Sequence, residues 1–329
     1  MNILFIIGNG FDINLGMKTR YSDFYKYYQA ITSESILLNN LKSSISDKLK
    51  DWSDLELSLG EYTEHLNSTE EIDEVIFDIG EKLSNYLSEE EKKIDLSTVD
   101  IEKFHKYLSF PERSLLKADN DEISNFKNKW KHHDWSINII TLNYTKILES
   151  LLNNKIINNR IGIHDNASIF LRGIEHLHGY LNDRMIMGVN DKSQIKNSTF
   201  HENQDILETL IKSNCNKAQK HTIDNLCINQ IKEANLICLF GSSIGETDNM
   251  WWELIGNKLR DDSRIIIFTK CEDIDPRISH LKARKERALK RLFLTRTKLS
   301  LSEEEKKIIE DRIYIGVNCN MFTDILKTN

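Results

Sequence analysis

The sequence predicts an α/β protein: a parallel sheet covered by helices on both faces, with a large helical insertion after its first strand–helix unit. Three observations predict it. Runs such as Ile3-Leu4-Phe5-Ile6-Ile7 and Leu236-Ile237-Cys238-Leu239-Phe240 are apolar throughout, as in strands buried on both faces. Both stop abruptly at glycine, Gly8 and Gly241. Between about Arg20 and Asp134 strand-like runs vanish, and apolar residues recur at helical spacing instead. The expected organisation is a core of residues 1–20 and 135–329 carrying an insertion of residues 21–134.

The first strand ends at Gly8-Asn9-Gly10-Phe11-Asp12, and the chain runs on through Ile13-Asn14-Leu15 to Gly16. Two glycines one residue apart let the backbone turn sharply and admit another backbone, or a phosphate, where a Cβ would stand. A helix starting at about Phe11 would aim its free N–H groups at the strand end and form an anion site. Two readings fit, a nucleotide-phosphate turn and a tight turn with no ligand. Ile13 stands where the dinucleotide fingerprint has its third glycine, and no acidic residue follows on a second strand about 20 residues later.

Composition bounds the answer. At 329 residues the chain can hold two domains, or one core with an insertion. Its 40% apolar and 29% charged content is that of an ordinary globular chain. A net charge of −7 argues against coating nucleic acid by bulk electrostatics. The five cysteines, Cys215, Cys227, Cys238, Cys271 and Cys319, include no C-x-x-C pair and fit thiols in a reducing cytoplasm. The apolar start is five residues long without a basic flank, so neither a signal peptide nor a membrane span is expected. Pro111 and Pro276 are the only prolines, which leaves long helices uninterrupted.

In the insertion the spacing of Tyr21, Phe24, Tyr25 and Tyr28, of Leu55, Leu59, Tyr62 and Leu66, and of Ile72, Val75, Ile76, Ile79 and Leu83 predicts four or five helices, with a looser stretch near Ser88 to Asp100. The tyrosine cluster reads as packing. Strands return at Ile137 to Leu142, followed by Asn143-Tyr144-Thr145 and a helix over Lys146 to Leu152. Short runs follow at Ile161–Ile163, Ile169–Arg172 and Glu175–Leu177, residues 201–234 read as helical, and Leu236–Phe240, Ile265–Phe268 and Ile313–Val317 complete the strands. In a parallel sheet covered on both faces, ligands bind beyond the carboxyl ends of the strands. That rule gathers Gly8 to Asp12, Asn143 and Tyr144, Gly241 to Ser243, and Thr269-Lys270 at one edge.

Several polar residues stand at those ends. Asn143 follows an apolar strand; its amide can orient a ribose hydroxyl or a water, or cap the helix that follows. In Glu175-His176-Leu177-His178-Gly179, strand alternation would place His176 and His178 on one face. His178 suits proton transfer near neutrality; a metal site with His164 and His176, or a satisfied core histidine, are the other readings. Gly241-Ser242-Ser243, with Asp248 further on, suits a ribose, a phosphate or a plain turn. Trp251-Trp252 reads as packing and His132-His133-Asp134 as an exposed connection. The basic stretch from Lys282 through Arg284, Lys285 and Arg287 to Lys298 has one apolar face and reads as a solvated helix, with nucleic acid as the rival partner.

Taken in order, these segments resemble known families. Gly8-Asn9-Gly10-Phe11-Asp12 with Gly16-Met17 resembles the sirtuin opening G-A-G-x-S-x-x-x-G-I-P, and Thr141-Leu142-Asn143-Tyr144 is similar to the sirtuin T-Q-N segment. His178-Gly179 resembles the sirtuin catalytic His-Gly, Gly241-Ser242-Ser243 the G-T-S ribose turn, and Asp248 fits the form seen in bacterial sirtuin-like NAD hydrolases. The opening GNGFD-x-N-x-G-x-x-T-x-Y-x-D-F, with Trp52-Ser53-Asp54-Leu55-Glu56 and the LNYT and LHG segments, looks most like the bacteriophage abortive-infection AbiH family, over most of the chain. The sirtuin serine is Asp12 here, Lys18 replaces the proline, and Thr145 replaces an acidic residue. The cysteines are too dispersed for a four-cysteine zinc module.

The resemblance implies a Rossmann-like, sirtuin-like core and a cytoplasmic anti-phage effector that hydrolyses the nicotinamide–ribose bond of NAD, without zinc-dependent deacylation. NAD is expected as substrate and no metal is expected. Asn143 and His178 would be catalytic, Asn143 orienting ribose and water and His178 acting as base. Gly8, Asn9, Gly10, Phe11 and Asp12 would take the pyrophosphate, with the Asp12 carboxylate turned to the helix or the nicotinamide ribose. Gly241, Ser242 and Ser243 would take the adenosine ribose, and Thr141, Tyr144 and Asp248 would line the site. A non-catalytic nucleotide sensor and a nucleic-acid-acting effector using the basic helix are the rival functions. A homo-oligomer or an associated defence protein remains open, and no membrane is expected.

Overall fold

The computed structural model describes residues 1–152, 158–272, 278, 280–323 and 325–326; Pro276 lies outside them. Seven strands, β1 (Asn2–Ile7), β2 (Trp135–Thr141), β3 (Asn159–His164), β4 (Ala167–His176), β5 (Leu236–Phe240), β6 (Arg264–Thr269) and β7 (Ile313–Val317), form one sheet. Its order is β3-β4-β2-β1-β5-β6-β7. Every neighbouring pair is parallel except β3–β4. The two runs expected at 169–172 and 175–177 are one strand, β4. Only Asp165 and Asn166 separate β3 from β4, and Asp165 has φ +51°. Two residues allow a hairpin but no crossover, so β3 must run antiparallel.

Fourteen helices are described. They are α1 (Gly10–Asn14), α2 (Tyr21–Gln29), α3 (Ile36–Asp47), α4 (Leu55–Tyr62), α5 (Thr69–Lys92), α6 (Ile101–Ser109) and α7 (Lys117–Lys127), then α8 (Ile147–Leu151), α9 (Gln204–Leu210), α10 (Lys212–Ala218), α11 (Ile223–Glu233), α12 (Asn249–Lys258), α13 (His280–Arg296) and α14 (Glu303–Glu310). None is long and apolar enough to cross a membrane. Alternate residues of β1 face opposite sides. Ile3, Phe5 and Ile7 pack with α1, α6, α7 and α8, while Leu4 and Ile6 pack with α11, α12, α13 and α14.

The segment 21–134 contains six of these helices rather than four or five, and α5 runs straight through Ser88 to Lys92. It also divides. Phe104, Leu108, Ile123 and Phe126 of α6 and α7 bury themselves on the sheet. α2 to α5 instead share a separate core with Leu181, Met187, Val189, Phe200, Ile206 and Leu210, and with Tyr144 beyond β2. Helical periodicity marks which face is buried but not what buries it. Phe24, Tyr25 and Tyr28 lie in that second core, Trp251 and Trp252 of α12 pack into the core shared with Leu4 and Ile6, and His132 to Asp134 are exposed. α13 buries Phe293 and exposes Arg284, Lys285, Arg287 and Arg291.

The turns after β1 and β5 touch backbone to backbone. Gly8 N–H donates to the Phe240 carbonyl (2.9 Å), and Gly10 N–H to the Gly241 carbonyl (2.8 Å). A Cβ on Gly10 would stand 2.5 Å from Gly241 Cα, and one on Gly241, which has φ +71°, 2.8 Å from Gly10 Cα. Gly16 has φ +92° but open space around it. Gly10→Ala is therefore expected to cost about 2 kcal/mol or more through backbone displacement, and Gly16→Ala only about 1 kcal/mol through its dihedral. Urea unfolding of both variants checks this; a milder effect at Gly10 would show that the two turns can separate freely.

Candidate functional site

The strand order reverses about β1: the chain moves outward through β2 and β4 on one side and through β5, β6 and β7 on the other. The connections leaving β1 and β5 run toward opposite edges of the sheet, and the crevice beyond these strand ends is the usual ligand position in such sheets. A cavity of about 680 Å³ occupies it. Gly8, Asn9, Gly10, Asn143, Tyr144, His178, Gly241, Ser242, Ser243 and Asp248 all line it, as do Thr269 and Lys270. Arg20 and, from the helical segment, Tyr21, Asp54 and Glu56 line it too. His178 and the Gly8–Gly10 bend therefore face one space.

Phe11, Asp12 and Thr141 do not line it. The Phe11 ring is fully buried against Phe104, Phe240 and Phe322. Thr141 Oγ1 accepts from the Asn143 N–H (3.1 Å) behind the cavity wall. The expected anion site at the start of α1 is also filled from within. Gly10 N–H is held by Gly241, and Phe11 N–H donates to the Gly8 carbonyl (3.0 Å). Asn9 is occupied too: its Nδ2 donates to the Thr19 carbonyl (2.8 Å) and its Oδ1 accepts from the Thr19 hydroxyl.

Asp12 is spent on Asn143. Its Oδ1 accepts from Asn143 Nδ2 (3.0 Å) and its Oδ2 from Thr145 Oγ1 (2.7 Å). Asn143 Nδ2 also donates to the Gly8 carbonyl (3.3 Å). The Gly8 carbonyl can only accept, as can Asp12 when ionised, so the amide turns its N–H₂ to them. Asn143 Oδ1 is then left buried with no hydrogen-bond partner among the described residues. Such an atom is costly and rare in a folded chain. The N-cap reading of Asn143 fails, because α8 begins only at Ile147. Burial raises the Asp12 carboxyl to about 7, against the lowering effect of its hydrogen bonds from Thr145 and Asn143.

His176 and His178 part company. β4 ends at His176, and the chain then turns at Gly179, which has φ +73°. His176 Nδ1 donates to the Asn143 carbonyl (3.0 Å), and its Nε2 meets Glu149 Oε1 at 2.6 Å. His178 instead turns its Nε2 to Asp248 Oδ1, 3.1 Å away but off the direction of a hydrogen bond. His164 pairs with Ala167 at the amino end of β4, nine residues from His176, or about 30 Å along a strand. It cannot share a metal with the other two.

Beneath His178 lies a charge network that the sequence did not disclose. Lys212 Nζ, at the start of α10, sits 2.9 Å from Asp248 Oδ1 and 2.7 Å from Glu56 Oε2 of α4, all buried. Glu56 also accepts from Tyr144 Oη (3.2 Å) and Thr247 Oγ1 (3.1 Å). Burial by itself would raise the Asp248 carboxyl, but the Lys212 ammonium, helped by His178, holds it well below the usual carboxylate range. Burial would lower Lys212 likewise, and Asp248 and Glu56 raise it. Glu56 falls within the WSDLE stretch; nothing in the sequence singles out Lys212.

The family model described as bacteriophage abortive infection AbiH matches residues 4–269, from β1 to the end of β6. No curated protein matches the chain.

Two outcomes are expected from this wiring. Asp12 binds a proton more readily in the fold than in the unfolded chain, so its contribution weakens stability as pH rises from about 4 to about 7 and then levels off. Asp12→Asn removes that slope, and relative to wild type it should gain up to about 4 kcal/mol across the window. Parallel urea-unfolding profiles for the two proteins between pH 4 and pH 8 would refute it. Lys212→Met strands two buried carboxylates and should cost roughly 3–5 kcal/mol; a thermal unfolding shift corresponding to less than about 1 kcal/mol would mean that water reaches the pair.

Proposed function

The chain belongs to the bacteriophage abortive infection AbiH family, and from that premise we propose that it is an anti-phage effector that binds NAD in the crevice between β1 and β5 and hydrolyses its nicotinamide–ribose bond. The observation that carries this reading is the Asn143 amide. Its N–H₂ is locked by Asp12 and Gly8, and its Oδ1 is an unpartnered buried acceptor on a residue that lines the cavity shared with His178. A ribose hydroxyl or an attacking water supplies the donor that Oδ1 lacks.

The rest of the site is consistent with the reaction. The parallel strands order themselves about β1 as in a Rossmann-like nucleotide-binding sheet. A volume of about 680 Å³ suits a dinucleotide-sized ligand. With the N–H groups of Gly10 and Phe11 engaged elsewhere, Arg20 and Lys270 at the cavity are the groups for the pyrophosphate. Asp54, Glu56 and Asp248 make one wall acidic, which favours the positive charge that develops on the ribose.

As the C1′–N bond breaks, its electron pair returns to the nicotinamide ring, which leaves neutral without a general acid. Water adds at C1′ and gives its proton to His178, yielding ADP-ribose. Asp248, kept ionised by Lys212 and 3.1 Å from His178 Nε2, stabilises the protonated imidazole through its charge. Asp12 acts on Asn143 rather than on the pyrophosphate.

Purified protein, or extract from phage-infected cells carrying it, is expected to convert NAD to nicotinamide and ADP-ribose. His178→Ala and Asn143→Ala should each slow this at least about a hundredfold, the usual scale for a lost base or positioning group; His178→Ala should unfold close to wild type, and Asn143→Ala about 1–3 kcal/mol less stably because it strands Asp12 and the Gly8 carbonyl. Turnover by His178→Ala at the wild-type rate would remove His178 as base; NAD binding with no nicotinamide release under infection would make the chain a sensor.

A further inference from the structure

A second cavity of about 530 Å³ lies between α6, residues 111–116, the start of α13 and the loop after β7. We infer that it binds a small molecule carrying two or more phosphate groups, a site independent of the NAD reading. Lys106, Arg113 and Lys282 stand in its wall beside Lys103, which has a contact of its own, and no aspartate or glutamate among the described residues lines it. The chain as a whole has 51 acidic and 44 basic residues, so a random patch of this size would mix the signs. Lys106, Arg113 and Lys282 bring three positive charges to one concavity, and an anion between them is attracted by all three.

The convergence is tertiary. Lys103 and Lys106 lie one turn apart on α6, Arg113 follows Pro111, and Lys282 comes from α13. The Arg113 guanidinium lies over the Phe110 ring, 4.1 Å from its centroid. Stacking fixes the plane of the guanidinium and leaves its N–H edge for phosphate oxygens, which it meets in pairs. Asp119 and Glu286 feel the Lys282 charge, yet neither belongs to the wall. A concave, nucleotide-sized volume fits a compact polyanion better than a long strand, which needs a groove open at both ends. Cys319 belongs to the walls of both cavities, so a ligand here sits one side chain from the first site.

Calorimetry of the full chain with inorganic tripolyphosphate, and separately with ATP, tests the inference. Both are expected to bind wild type at low salt. Lys106→Glu with Arg113→Glu should weaken tripolyphosphate at least about tenfold, two charge-assisted contacts being lost, while Asn143→Ala leaves it unchanged. Lys106→Glu with Lys282→Glu serves if removing the Arg113 stack disturbs the fold. Equal binding by the charge-reversed pairs, no binding of either probe to wild type, or binding of a single-stranded oligonucleotide in place of both would each overturn it.

Discussion

The architecture depends on two glycine turns pressed together without side chains between them. Gly8, Gly10 and Gly241 place the ends of β1 and β5 closer than any Cβ allows, and the carbonyls and N–H groups there satisfy one another. Their purpose is therefore first structural. The same contact holds the Gly8 carbonyl where Asn143 Nδ2 can reach it, and from Asn143 the order passes to Asp12, Thr145 and, through the Asn143 backbone, His176. A phosphate-type turn has become the anchor of an amide.

Two buried carboxyls beside one cavity are driven in opposite directions. Asp248 lies against an ammonium and stays ionised; Asp12 has only neutral donors and titrates near 7. Groups separated in this way can take different roles in one site. The Lys212 network is not economical as a source of stability, since taking three charges out of water costs nearly what their attraction returns. What it supplies is placement. It joins α4, α10 and the residues leading into α12 behind His178, and α4 belongs to a different packing unit from the sheet.

The sheet was legible because buried parallel strands are apolar at every position: β5 and β7 match their runs residue for residue. The edge was less so, because β3 and β4 alternate and the chain between them is too short for the expected parallel connection. Asn143, His178 and Gly241 could be found because each interrupts an apolar run at a strand end. Lys212 could not, since a charged residue in a helical stretch looks the same whether it faces water or a buried carboxylate. The division of 21–134 was hidden for a related reason: α6 and α5 have similar stripes, and only the fold assigns one to the sheet and the other to residues 181–211.

The central position of β1 also governs how the molecule comes into being. Its partners are β2, which begins at Trp135, and β5, which ends at Phe240. Translation at ~5–20 residues per second leaves the opening strand without its second neighbour for on the order of ten seconds or more. Nascent and truncated chains that stop short of Phe240 lack one whole wall of the crevice. Topology alone thus delays the assembled crevice until the chain has been made as far as Phe240.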